Sequence, residues 1–296
     1  MIMQSFVEVD GIRTRYYEFG NHEPGYNQNI LVLIHGGQFG ALVSADSWSL
    51  NFEGLSRSFH VYAFDKLGMG YTDNPKSDDE YTFDALVAHA RSFLSKMGIK
   101  RCHIVGHSRG ALLATWIALA SPDIVKSLVI VDSNSTARED PEFPSHAFYE
   151  RLADKTPRGP VTREIARMEA DSQSYSTSHV TDDFVEGLYR IATLPKISEV
   201  QRKMRRVESN IWNPSIESKR AETIRLIESE GLKVPTLVVW GANDPSAPTK
   251  LALDLYNSIR MKTENAQLHF FNHAGHYSFR EHPSDFNALI SGFCLH

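Results

Sequence analysis

The stretch CHIV-GHSRG-ALLATWIALA, residues 102–120, decides the fold of this chain. Residues 102–105 form a short apolar run typical of a buried strand, and residues 109–120 have the small apolar side chains of a helix packed tightly on a sheet. Between them, Gly106 to Gly110 match the pattern Gly-x-Ser-x-Gly, a sharp strand-to-helix turn that holds its serine in a strained conformation with the hydroxyl exposed. Glycine is required on both sides because larger side chains would collide with the strand and the helix. The pattern predicts that Ser108 is a nucleophile.

Further apolar runs surround this stretch along the chain. Continuous runs of this kind are typical of parallel strands that are buried on both faces of a sheet, and they lie at residues 30–34, 59–64, 127–132, 236–240 and 267–271. Helical patterns occupy the segments between them, at residues 81–97, 248–260 and 283–293. Asp10-Gly11 separates two strand-like segments at 5–9 and 13–18, which indicates a hairpin. The alternation predicts an α/β fold with an open, mostly parallel, doubly wound sheet.

The region 136–215 departs from this alternation. It contains no convincing strand and carries long, charged helical segments. We therefore predict a helical cap at 136–215, inserted between two strands of an α/β-hydrolase core that comprises residues 1–135 and 216–296.

Composition excludes several other classes of protein. The chain has 296 residues, 42% apolar and 23% charged, with a net charge of −5 and no long basic block. A nucleic-acid partner or an anionic membrane surface is not expected, since both require clustered positive charge. The two cysteines lie far apart and suit a reducing compartment. No secretory signal is evident, and no apolar run approaches the ~20 residues that span a bilayer. These features predict a cytoplasmic protein.

A serine hydroxyl needs a base to remove its proton, and in this fold the chain order is serine, acid, histidine. His276 lies in the loop after the last predicted strand, where the base is expected, and Gly275 allows that loop to turn toward the site. His273, three residues earlier, is the competing candidate. His269 within the strand and His282 at the start of a helix are interpreted as structural.

The acid that orients the histidine is expected at the carboxyl end of a strand. Asp244 follows the strand at 236–240 and is the predicted acid, with a turn-forming aspartate before proline as the alternative interpretation. Asp132, at the end of the preceding strand, is the alternative acid. Asp65 ends another strand and is interpreted as a turn former.

Two backbone N–H groups are expected to stabilise a developing oxyanion, each contributing roughly 3–4 kcal/mol in comparable enzymes. One is the N–H of Arg109, directly after the nucleophile. The other comes from the loop that begins His35-Gly36-Gly37, and we predict Gly37. The sequence contains no His-Glu-x-x-His, cysteine cluster, phosphate-binding loop or dinucleotide fingerprint. We therefore expect no metal and no cofactor, and a small-molecule substrate as the ligand.

The chain resembles the meta-cleavage-product hydrolases, a group of α/β hydrolases that cleave a carbon–carbon bond. The resemblance rests on the hairpin at 7–16, the loop from His35-Gly36-Gly37 to Gly40-Ala41, Trp48, the segment 65–75, the elbow, and Gly275-His276 with Glu281-His282-Pro283. It implies a homodimer and a substrate that is a vinylogous 1,5-diketone formed by aromatic ring cleavage. The dienol would ketonise in the site, and Ser108 with His276 would then promote attack on the carbonyl by serine or by an activated water.

The resemblance also implies substrate contacts. Gly36 lies in the oxyanion loop, His107 stands where the group commonly has asparagine, and Tyr277 stands where a tryptophan often follows the base. The group binds the substrate carboxylate with an arginine from the cap, but Leu188 stands at that position here. Arg190 is two residues further, on the opposite side of a helix, and takes this role only if the alignment is shifted. Without it, a neutral ester, lactone or polyketide-like ketone is favoured.

A second class of function uses the same scaffold. A ligand-binding protein, or a cofactor-free enzyme that rearranges its substrate without hydrolysis, can retain all three triad residues. The Ser108→Ala variant separates the two hypotheses, because a hydrolase loses turnover while it retains ligand binding.

Overall fold

An eight-stranded, mostly parallel sheet forms the centre of the molecule. The computed structural model describes residues 4–20, 29–142, 144, 146–157 and 159–296. The strands, in sheet order, are β1 (Gln4–Val9), β2 (Ile12–Phe19), β4 (His60–Phe64), β3 (Ile30–Ile34), β5 (Cys102–His107), β6 (Val125–Val131), β7 (Thr236–Gly241) and β8 (Ala266–Phe271). β1 pairs with β2 and β2 with β4 in antiparallel fashion, and the other pairs are parallel. The predicted hairpin and the predicted parallel sheet are both confirmed.

Eleven α-helices lie in the described part of the chain. They are α1 (Phe52–Ser56), α2 (Phe83–Lys96), α3 (Arg109–Ala120), α4 (Ala147–Lys155), α5 (Arg163–Gln173), α6 (Asp182–Ala192), α7 (Pro195–Val207), α8 (Asn213–Glu230), α9 (Thr249–Arg260), α10 (Ser278–Glu281) and α11 (Pro283–Leu295). A π-helical turn, Glu208–Trp212, joins α7 to α8. None of these helices combines the length and the apolar character that a membrane crossing requires.

The continuous apolar strands are explained by helices on both faces of the sheet. Every residue of β4, β5 and β7 is buried. Successive side chains of a strand point to opposite faces: in β3, Val32 and Ile34 join one hydrophobic cluster, whereas Leu31 and Leu33 join the other. The first cluster contains residues of α2, α3 and α9, and the second contains residues of α1, α5, α6 and α11.

Between β6 and β7 the described residues form helices and turns but no strand. The helix α8 runs without a break from residue 213 to 230 and packs against α2 and α3. The predicted boundary at 215/216 therefore lies inside the first turn of α8.

Candidate active site

Ser108 occupies the turn between β5 and α3. Its backbone has φ 54° and ψ −127°, a conformation that side chains rarely adopt. The turn is so tight that a Cβ on Gly106 would lie 2.5 Å from the Ala111 Cα, and one on Gly110 would lie 2.5 Å from the Ile34 carbonyl oxygen. The strand, turn and helix expected around the serine are present, and only glycine fits on either side of it.

Asp244 and His276 form a buried pair close to this turn. His276 Nδ1 lies 2.6 Å from Asp244 Oδ2. The other carboxylate oxygen, Oδ1, accepts hydrogen bonds from the backbone N–H and hydroxyl of Ser246, both at 2.8 Å, and from the Ala247 N–H at 3.0 Å. The carboxylate thus stabilises the turn at Ser246 and Ala247 with one oxygen and binds the imidazole with the other. With its proton on Nδ1, neutral His276 keeps the lone pair of Nε2 for a proton acceptor role.

The electrostatic environment favours a protonated His276. Burial acts to lower the pKa of this imidazole, but the charge and hydrogen bond of Asp244, followed by the charges of Asp132 and Glu169, raise it above 6.5. Ser108 and His276 line the same cavity. Their side chains are not hydrogen-bonded to each other, and such catalytic contacts often tighten only when substrate binds.

The alternative base, His273, and the alternative acid, Asp132, make different contacts from those of the Asp244–His276 pair. His273 is exposed and stacks on Tyr175 with ring centroids 5.1 Å apart. Asp132 accepts hydrogen bonds from the Gly241 N–H at 2.6 Å and from the Ser278 hydroxyl at 2.6 Å, and it forms no hydrogen bond with His276. Burial and the charge of Asp244 raise the pKa of Asp132 well above its usual range. Asp65 does more than form a turn, since it accepts an Arg15 guanidinium donor at 2.8 Å.

The two predicted oxyanion donors, Gly37 and Arg109, both line the cavity. Gly37 has φ 78°, and a Cβ there would lie 2.5 Å from Val43, so this bend requires glycine. A contact that the sequence did not reveal supports the loop: buried Lys66 donates to the Gly37 carbonyl oxygen at 2.9 Å. The Lys66 N–H also donates to His35 Nε2 at 3.1 Å, and His35 Nδ1 then donates to the Gly36 carbonyl oxygen at 2.9 Å.

His107 and Tyr277 form part of the cavity wall as neutral side chains. His107 Nε2 donates to the His276 carbonyl oxygen at 2.8 Å, so its Nδ1 is an acceptor. Burial first, and the neighbouring His276 second, lower the pKa of His107 well below 6.5. Burial raises the pKa of Tyr277 well above 10. The two rings lie 5.5 Å apart.

The cavity has a volume of about 570 Å³, within the range of small-molecule sites. Its lining combines residues from the sheet side with residues from the helices between β6 and β7. The former include Gly36, Gly37, His107, Ser108, Arg109, His276 and Tyr277, and the latter include Tyr149, Glu169, Gln173, Glu208, Trp212 and Arg220. Two of the predicted site residues do not line the cavity. Asp244 contacts it only through its hydrogen bond to His276, and Arg190 lies away from it.

Arg190 does not face the cavity, so its prediction as a substrate-binding residue is corrected. It lies on α6 with an exposed side chain and forms an ion pair with Glu186 at 3.0 Å. Leu188 on the same helix is buried in the hydrophobic cluster. Residues two positions apart on a helix point roughly 200° apart, so the face that buries Leu188 directs Arg190 to solvent.

One contact between the helical region and the base loop had no sequence signal. The backbone carbonyl of Gln173, at the end of α5, accepts the His276 N–H at 2.8 Å. Its side-chain amide donates to the Tyr149 hydroxyl at 3.1 Å and to the Ser246 hydroxyl at 3.5 Å. A Cβ on Gly275 would collide with this Gln173 carbonyl. Gly275 is therefore needed for close approach of two backbones, rather than for the turn that the sequence suggested.

Within the described ranges, no group of three or more His, Cys, Asp or Glu side chains is arranged to hold a metal ion.

A serine at a strand-to-helix elbow, with an aspartate–histidine pair beside it on a mostly parallel sheet, defines the class of serine-dependent α/β hydrolases. Residues 29–283 match the family model described as alpha/beta hydrolase fold. The chain belongs to this family, and it is a hydrolase.

Its relatives within the family point to one group. The chain is 30% identical over 283 residues to the 2-hydroxymuconate semialdehyde hydrolase of Pseudomonas sp. (strain CF600), covering 96% of this chain and 90% of that protein. It is 28% identical over 302 residues to the 2-hydroxy-6-oxo-6-(2'-aminophenyl)hexa-2,4-dienoic acid hydrolase of Metapseudomonas resinovorans, covering 98% and 90%. A solved meta-cleavage product hydrolase from Pseudomonas fluorescens IP01 superimposes with a TM-score of 0.76 at 27% identity, covering 99% and 97%. The predicted resemblance to meta-cleavage-product hydrolases is confirmed.

Proposed function

We propose that this protein hydrolyses a carbon–carbon bond in a dienoate ketone of the meta-cleavage type. The observation that carries the proposal is the buried Asp244–His276 pair, which shares one cavity with the elbow serine. The proposal is supported by relatives that are named as hydrolases of such dienoates and cover nearly the whole chain. The ligand is accordingly a small molecule.

In the proposed mechanism, Ser108 is the nucleophile or activates a water, His276 is the base and Asp244 orients it. After ketonisation of the dienol, His276 Nε2 takes the proton of the attacking hydroxyl as its oxygen adds to the substrate carbonyl carbon. The resulting oxyanion accepts hydrogen bonds from the backbone N–H groups of Gly37 and Arg109. The carbon–carbon bond then breaks, and its electron pair passes into the dienoate fragment, which receives the proton from His276.

The net reaction consumes one water molecule and yields a carboxylic acid and a hydroxydienoate. If the serine oxygen attacks, the acid is first held as an ester of Ser108, and a water activated by His276 releases it. In either case the same base accepts a proton during attack and returns it to the departing carbon. This reversal requires an imidazole with a pKa near the working pH.

We further propose roles for the surrounding residues. Gly36, His107 and Tyr277 contact the substrate beside the nucleophile, supported by their place on the cavity wall. Residues 136–215 act as a cap over a core formed by 1–135 and 216–296, supported by the α5 contacts to the base loop. A homodimer and a cytoplasmic location stay predictions.

One observation favours a second candidate function. The helix α6 presents Leu188 inward and Arg190 to solvent, so it offers no cation to a substrate carboxylate. A neutral ester or lactone would not need one.

A substrate panel tests both candidates. Meta-cleavage dienoates lose their visible absorbance on cleavage, whereas p-nitrophenyl esters and lactones release acid without that change. We expect kcat/KM to be highest for a dienoate. Turnover of esters and lactones without any bleaching of dienoates would overturn the proposed substrate class.

A further inference from the structure

The side chain of Arg109 has a position and an environment that the oxyanion role of its backbone does not explain. It begins α3 directly after Ser108 and lines the cavity. Its guanidinium carbon lies 5.8 Å from the centre of the Tyr149 ring, which belongs to the opposite, helical wall. Within the described ranges the guanidinium forms no ion pair and no hydrogen bond. A half-buried guanidinium with five uncommitted donors is unusual, because burial of an unpaired charge is costly.

The other arginine on the cavity wall is already committed. Arg220 donates to the carbonyl oxygens of Ala137 at 2.8 Å and Asn134 at 2.9 Å, and it pairs with Glu139 at 3.6 Å. In the described part of the cavity, Arg109 is therefore the arginine whose donors are available to a ligand.

The carboxylates of the cavity do not provide Arg109 with a partner. Glu139, Glu150 and Glu217 are exposed toward solvent, and Glu208 accepts the Gln38 amide at 3.0 Å. Glu169, on α5, is the acidic group that interacts electrostatically with Arg109, but the two form no ion pair. Burial raises the pKa of Glu169, and the charges of His276 and Arg109 act to lower it.

We propose that the Arg109 guanidinium binds the carboxylate of the substrate. Arg109 would then bind the substrate at two points, the attacked carbonyl through its backbone and the carboxylate through its side chain. Its backbone N–H faces the carbonyl that is attacked, and its side chain extends to the opposite wall, where the acidic end of a dienoate ketone would lie. A planar guanidinium matches a carboxylate in two parallel hydrogen bonds. This inference rests on the proposed dienoate substrate and replaces the neutral-substrate alternative that α6 suggests.

The experiment compares two non-hydrolysable probes of nearly equal shape, sorbate (hexa-2,4-dienoate) and its neutral amide. Their dissociation constants are measured by ligand-observed NMR titration, which requires no turnover. For the unmodified protein we expect sorbate to bind about tenfold or more tightly than the amide, because hydrogen bonds between a guanidinium and a charged carboxylate are stronger than those to a neutral amide. Arg109→Met should remove this preference, and Arg109→Lys should restore part of it. Arg190→Met is the matched control and should bind sorbate as the unmodified protein does.

A further pair of variants separates direct binding from simple charge balance. If Arg109 contacts the carboxylate, Arg109→Met combined with Glu169→Gln should bind sorbate about tenfold more weakly than Glu169→Gln alone. Equal affinities in those two variants, or unchanged sorbate affinity in Arg109→Met, would overturn the inference. A protein that prefers sorbate through Arg109 but never cleaves a meta-cleavage dienoate would contradict the proposed function and leave this carboxylate site standing.

Discussion

The side chain of Asp244 both stabilises the turn that follows it and binds the imidazole of His276. Its Oδ1 accepts three hydrogen bonds from the turn that follows it, and its Oδ2 accepts the His276 Nδ1–H. The turn fixes the carboxylate, and its other oxygen binds the imidazole of His276, the proposed base. The two interpretations that the sequence left open for Asp244, turn former and triad acid, are therefore compatible in one geometry.

The pH dependence of activity follows from this pair. The base must be neutral to act, so kcat/KM should fall as the pH drops through the His276 pKa, which lies above 6.5 because of Asp244. In Asp244→Asn the raising charge is lost while burial still lowers the pKa, so the acid limb should move to lower pH. The rate should fall about 10⁴-fold, as expected when the imidazole loses its orienting carboxylate. A pH–rate profile checks both effects, and an acid limb that stays in place would show that Asp244 does not act on the base.

Local patterns predicted some site residues and missed others for a physical reason. A Cβ on Gly106 would clash with Gly110 and Ala111 inside the same turn, so a five-residue motif was sufficient to predict the elbow around Ser108. The Lys66 contact to Gly37 and the Arg109 position against Tyr149 join elements far apart in the chain. No local rule specifies such contacts before the sheet and the helices are assembled.

At the scale of elements, the critical contact is between the end of α5 and the loop that carries His276. The Gln173 carbonyl accepts the His276 N–H, and its amide reaches Ser246, which in turn binds Asp244. The helical region thereby touches both the base and the acid of the proposed triad. Its placement should affect catalysis even where it does not contact substrate.

Gly275→Ala tests this contact. The new Cβ would press on the Gln173 carbonyl and move the loop from α5, so we expect kcat to fall about tenfold or more, since small misplacements of catalytic groups are costly. The loss of free energy of unfolding should be about 1–3 kcal/mol, from overpacking.

Gly292→Ala is the matched control, because a Cβ there meets nothing within 4 Å and lies on helix α11. It should leave kcat unchanged and stabilise the helix by up to about 1 kcal/mol. Urea unfolding and steady-state rates measure both variants. Full activity in Gly275→Ala would show that the α5 contact does not position the base.

Helices were predicted correctly where apolar residues recur at helical spacing. The helix predicted over 81–97 is α2, at 83–96 with Thr82 as its cap, because the Thr82 hydroxyl accepts the Ala85 N–H at 3.1 Å. The orientation of α6 also followed from helix geometry, with Leu188 inward and Arg190 outward. The π-helical turn at 208–212 had no signal, because it depends on the packing of Trp212 against the core rather than on local propensity.

At the scale of the whole molecule, two hydrophobic layers on either side of the sheet hold the fold together, and no disulfide contributes. Both cysteines are free thiols. Cys102 is fully buried at the start of β5, and the Cys294 thiol near the end of α11 accepts the Ser127 hydroxyl. Burial raises the pKa of Cys102 to about 12 and that of Cys294 to about 11.

Thiol reactivity therefore reports on global folding. The thiolate is the reactive form, so in the native protein at pH 8 both cysteines should react with a disulfide reagent about 100-fold or more slowly than an unshielded cysteine. In guanidinium chloride both should react at once. Spectroscopic titration of released thiolate measures this, and rapid reaction of Cys294 in the native protein would mean that the end of α11 opens readily.

The proposed role of Ser108 is tested by the rate at which a meta-cleavage dienoate loses its visible absorbance, measured with the unmodified protein and with Ser108→Ala. We predict a decrease in kcat of at least about 1,000-fold in the variant, because only binding and oxyanion stabilisation remain. The variant should still bind the dienoate, seen as a shift of its absorbance spectrum. Bleaching by Ser108→Ala at the rate of the unmodified protein would contradict the account.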